Sequence, residues 1–164
     1  MDAQHDKFVG ADKEIRCYVV EWDPKELSWA AFRQTVLGPT DPTDAPKQSI
    51  RRTILEQYKN LGLKDEPNKS DNGVHASASP FEGLAEKMNW LNMDAQHDKF
   101  GKALLEAGLT KEQIEEWAKD PQVKISADSS GSVFDELEET DADDCLKKLV
   151  SLNELNRRPS EAEL

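Results

Sequence analysis

A chain of 164 residues, 37% hydrophobic and 33% charged, carries apolar material for one core and is too short for two domains of ordinary size. Its 33 acidic residues outnumber 21 basic ones and leave a net charge of −12, which excludes a broad basic face for nucleic acid but permits a local anion pocket. No apolar run approaches the ~20 residues of a membrane-spanning helix, and Met1 to Phe8 has no leader character, so a soluble, intracellular, cytoplasmic protein without membrane insertion is expected.

In chain order, Ile15 to Trp22 is short, β-branched and aromatic, and reads as a strand. Asp23-Pro24 then supplies a helix start, with apolar residues at Leu27, Ala30, Ala31 and Val36 at helical spacing until Gly38. Three prolines between Gly38 and Lys47 make a stiff, shaped loop. Ser49 to Leu61 is helix-like, and Lys64 to Asn72 is polar and exposed. Ser79-Pro80-Phe81-Glu82 combines a cap, a first-turn proline and a capping-box glutamate, and predicts a helix to about Trp90. Leu104, Leu105 and Gly108 predict a helix with a glycine cap, and Thr110 to Gln113 opens another through Trp117. After Asp120 the chain reads as helical apart from the turn-like Ser126 to Ser132. There Trp117, Leu137, Leu146, Leu149 and Val150 form an apolar stripe for internal packing or, alternatively, a partner.

Cys17 and Cys145 read as small buried hydrophobes, since neither has a second thiol or a histidine at metal-ligand spacing. The acidic run from Asp135 to Asp144 lacks the glycine and ligand spacing of a calcium loop and reads as a solvated face. Met1 to Phe8 recurs letter for letter as Met93 to Phe100, but the flanking sequences do not correspond, so it is no structural repeat. His5 and His97 lie in the two copies and read as exposed polar residues.

His75 is set differently, at the end of a short extended step among small residues and just before a well-capped helix. An imidazole with one nitrogen held by a partner and the other free is a nucleophile toward phosphorus. Ser77 and Glu86 are the nearby hydroxyl and carboxylate that such a ring needs. Gly38-Pro-Thr40-Asp-Pro42, Ser49-Ile50-Arg51, Asn72-Gly-Val-His75-Ala-Ser77-Ala-Ser79, Glu86 and Trp90 occur in an order and spacing that resemble the nucleoside diphosphate kinases.

The resemblance implies that His75 accepts and returns a γ-phosphoryl group, with Ser77 and Glu86 orienting its ring. Thr40, Arg51 and, by a one-place offset, Arg33 would meet phosphates, and Asn72 the sugar. It implies an α/β (α+β) class: a partial ferredoxin-like domain with an added C-terminal helical segment. The division is then an extension 1–14, the kinase-like domain 15–92, the helical segment 93–155 and a disordered tail 156–164.

The chain departs from the family in lacking its Lys-Pro-Asp-Gly motif and its base-clamping aromatics. Ala78 also stands in place of an aspartate, and residues are inserted between Arg51 and Asn72. The expectation is a divergent or inactive member serving as a binding or assembly module in a homo-oligomer or with protein partners. The alternative is an active kinase that binds nucleoside di- and triphosphates with magnesium; the inactive form needs no cofactor.

Overall fold

A computed structural model describes residues 14–157. Its helices are α1 (Trp29–Ala31, continuing as a π-helical turn Phe32–Leu37), α2 (Ile50–Gln57), α3 (Pro80–Leu91), α4 (Lys99–Glu106), α5 (Lys111–Trp117), α6 (Val133–Leu137) and α7 (Ala142–Asn156). β1 (Gln122–Lys124) and β2 (Ser130–Ser132) pair antiparallel, with Val123 opposite Gly131. The class is therefore α+β, with one two-stranded sheet among the described residues.

Caps explain most of the helix boundaries. Ser49 Oγ accepts from Arg52 N at 3.3 Å, and Ser79 Oγ from Glu82 N at 3.1 Å. Thr110 and Gln113 form the expected reciprocal capping box. After α4, Leu109 N donates to Leu104 O at 3.1 Å around Gly108, whose φ of 96° suits glycine. Gly38 closes the π-helical turn at φ 93°, where a Cβ would come within 2.9 Å of Ala45 Cβ and Ser49 Oγ. The proline-rich loop that follows is shaped as predicted, with Pro42 and Ala45 buried in it.

One core draws on both sides of residue 93: Phe81 and Leu84 of α3 pack with Leu104, Ile114, Trp117, Leu137 and Leu149. Leu146 and Val150 lie against the same cluster, so the predicted stripe packs internally. Within the second copy of the repeated octapeptide, Asp98 caps α4 through Phe100 N (2.9 Å) and Gly101 N (3.1 Å) and pairs with Lys87 of α3. A Cβ at Gly101 would fall on the Ala95 carbonyl, so the turn Ala95–His97 packs against a residue that must be glycine. His97 is exposed, as expected; the first copy, with His5, lies outside the described residues.

Five expectations need correction. Ile15 to Trp22 is chain without sheet partners among the described residues, and Tyr18, Val19 and Val20 are exposed. A strand forms only where another segment offers its backbone, which local composition cannot supply. Cys17, in that segment, is exposed rather than buried. Asp23 builds a turn by accepting from Lys25 N at 2.9 Å, and the helix starts later, with Ser28 Oγ accepting from Ala31 N. Beyond Asp120 the chain turns into the β1–β2 hairpin before α6 and α7, and Asn156, assigned to the tail, ends α7 and clamps Lys124 by side-chain bonds of 2.9 Å to its N–H and carbonyl. Residues 158–164 lie outside the described residues.

Candidate functional site

The site is the loop from Asn72 to Ser79 together with the first two turns of α3. Ser79 is fully buried and caps the helix, and the 3.6-residue period then puts Glu82 and Glu86 on one face, toward the loop. His75 Nε2 lies 2.5 Å from Glu86 Oε1, and Ser77 donates to Glu86 Oε2 at 2.5 Å. One carboxylate therefore bridges the histidine and the serine. Because an ionised carboxylate only accepts, Nε2 carries the proton, and in the neutral ring Nδ1 keeps its lone pair. Glu82 Oε2 accepts from Ala78 N at 2.5 Å, so this glutamate closes the helix start one residue earlier than the predicted box.

The hydrogen bond to Glu86 raises the His75 pKa from its ordinary value, against burial and the charge of Arg51, with the charges of Glu86 and Glu82 assisting. Burial works to raise Glu86, but the hydrogen bonds from His75 and Ser77 and the charge of His75 outweigh it and hold its pKa low. Glu82 is raised, by burial first and then by the neighbouring Glu86 charge.

The other predicted residues lie around this centre but bond elsewhere. Arg51 is buried; it donates from Nη1 to Gly38 O (2.9 Å) and from Nη2 to Val74 O (3.1 Å), joining the glycine turn to the residue before His75. Its Nε has no hydrogen-bond partner, and burial followed by the charge of Arg33 lowers its pKa. Asn72 Nδ2 donates to the Thr40 carbonyl at 3.0 Å, while Thr40 itself is exposed. Arg33 turns to the α6–α7 connection, where Nη1 meets Glu138 Oε1 at 2.6 Å and Glu139 Oε1 at 3.7 Å. His75, Ser77 and Glu86 thus form one hydrogen-bonded unit, whereas the side chains of Thr40, Arg33 and Asn72 make no hydrogen bond to His75.

Several residues that build the site carry no site role in the sequence reading. Glu82, four residues before Glu86, had a legible helical signal. Trp29 and the connecting loop had none: Trp29 Nε1 donates to Ser77 O at 2.9 Å, its N–H to Asp141 Oδ1 at 2.7 Å, and Glu139 N to Ala78 O at 2.8 Å. Glu138 and Glu139, expected on a solvated face, hold Arg33 and this loop. Comparison of the chain with protein-family models, with curated proteins and with solved structures finds no match.

Proposed function

We propose that the chain is a divergent nucleoside-diphosphate-kinase-like protein that works as a binding and assembly module rather than as a phosphotransferase. The observation that carries this reading is the engagement of the phosphate-directed groups by the fold itself. Both Nη atoms of Arg51 meet backbone carbonyls, Arg33 meets Glu138, and Asn72 meets the Thr40 carbonyl. Phosphoryl transfer depends on positioned donors around the equatorial oxygens, so a site whose donors are already bonded loses its main catalytic contribution. Glu82 beside His75 adds a negative charge that opposes a phosphate.

The ferredoxin-like sheet belongs to the same reading, with Ile15 to Val20 as the strand of an assembled form paired with a second copy. Its support is the exposure of Tyr18 (80%), Val19 (62%) and Val20 (58%), an unpaired apolar segment of strand-forming type. Sedimentation of the full chain should give a dimer or larger species that Val19→Asp dissociates; a monomer at every concentration would remove the assembly half.

The retained unit of His75, Glu86 and Ser77 favours a second reading, an active kinase with magnesium–nucleotide as its cofactor complex. There Nδ1 is the nucleophile: it bonds to the γ-phosphorus of the triphosphate, the nucleoside diphosphate leaves, and the phosphoryl group passes to another diphosphate. Glu86 would hold Nε2–H and stabilise the ring. The test is incubation with radiolabelled ATP and magnesium, followed by a search for an acid-labile phosphoprotein. The module reading expects no label above that of His75→Ala, whereas label that chases onto a nucleoside diphosphate would replace it with the kinase reading.

A further inference from the structure

We propose that His75, Glu82 and Glu86 form a binding site for a borderline divalent cation of the zinc class. Each offers one ligand atom, and these atoms lie within 4.8 Å of one another, the one such group of three or more among the described residues. The donor set is an imidazole and two carboxylates, which suits zinc-like ions and is poorly matched to calcium or magnesium, whose sites are built from oxygen. Zinc bonds of ~2.0–2.2 Å put neighbouring ligand atoms ~3.3 Å apart.

What distinguishes the group from ordinary surface acids is how its carboxylates are held. Glu86 Oε2 accepts from the Ser77 hydroxyl and Glu82 Oε2 from the Ala78 N–H, so one oxygen of each is fixed by the loop. The other oxygens remain: Glu86 Oε1 faces His75, and Glu82 Oε1 has no hydrogen-bond partner among the described residues. Outer hydrogen bonds of this kind orient ligands in metal sites. His75 is the exposed member and leaves open positions for water or a fourth ligand, while both glutamates are half-buried. The cationic groups nearby are held back by other bonds, Arg51 by Gly38 and Val74 and Arg33 by Glu138 and Glu139. On entry the cation takes the place of the proton between His75 Nε2 and Glu86.

The site does not depend on whether the chain handles nucleotides, and its test uses none. The full chain, stripped with EDTA, is titrated with zinc by calorimetry and with cobalt(II) by visible absorption. One equivalent should bind; Glu82→Gln and His75→Ala should each weaken binding tenfold or more, and His97→Ala should leave it unchanged. Circular dichroism checks that the variants are folded. A second measurement needs no variant: substoichiometric cobalt should broaden the ring resonances of His75 while those of His97 stay sharp. Absence of saturable binding, equal affinity in all four proteins, or equal broadening of the two rings would overturn the proposal.

Discussion

At the scale of single residues, Glu86 does most to set the properties of the site, because it is bonded to both His75 and Ser77. The His75 pKa is raised above its ordinary 6.5 by that bond, so whatever this pair adds to stability is fully present below about pH 6.5 and fades as pH rises through the higher folded value. Glu86 is held below its ordinary 4.5, so its share is present above about pH 4.5 and is lost as pH falls through the lower folded value. With EDTA present, NMR titration of the His75 ring should give a midpoint above 6.5 that moves down in Glu86→Gln; an unchanged midpoint would remove the carboxylate from the account. If the ring is phosphorylated, labelling should increase with pH as the neutral form accumulates. The cysteines divide in the same manner. Cys145 is fully buried and its thiol is pushed up to about 11, mainly by burial, whereas Cys17 is exposed. A thiol reagent at pH 8 should therefore modify one cysteine in the native protein and both after denaturation.

At the scale of elements, capping residues were the most legible part of the chain. Ser79 and Thr110 start α3 and α5 as read, because a cap bonds within its own first turn and needs no distant partner. The strand expected at Ile15 to Trp22 failed for the opposite reason, since pairing is non-local. The hairpin of β1 and β2 was read as helix and turn; its strands pair with each other, and β1 is clamped at Lys124 by Asn156, 32 residues later in the chain. Gly101 gives a sharp test of the repeated octapeptide. The second copy continues into Gly101 and the first into Val9. Gly101→Val should cost about 3 kcal/mol by overpacking against the Ala95 carbonyl, read as a lowered urea midpoint with unchanged slope. A variant as stable as the parent would show that the turn can move away.

At the scale of the whole molecule, Arg51 links α2, the glycine turn and the histidine loop from a buried position. Removing it as Arg51→Ala leaves two carbonyls without their charged donor and should destabilise the protein by about 3 kcal/mol. An arginine serving only a ligand would leave the melting temperature unchanged and weaken nucleotide binding instead, so thermal unfolding separates the two roles. The core itself spans both sides of residue 93, with α3 packed against α4 and α7. The histidine site therefore sits on a helix anchored by the later part of the chain. No helix among the described residues is long and apolar enough to cross a membrane.

From the sequence alone followed the caps of α3 and α5, the glycine stop after α4, the apolar stripe that packs into the core, and the grouping of His75, Ser77 and Glu86. All are written in short-range spacing, where helical geometry and chain connectivity leave few alternatives. Only the tertiary structure decided that Arg33 meets Glu138 across 105 positions, that Arg51 binds backbone carbonyls, that Trp29 holds the Ser77 loop, and that Glu82 joins His75. The physical reason is that a guanidinium or carboxylate takes whichever partner the packed elements bring within reach, and that choice is made by contacts between segments far apart in the chain.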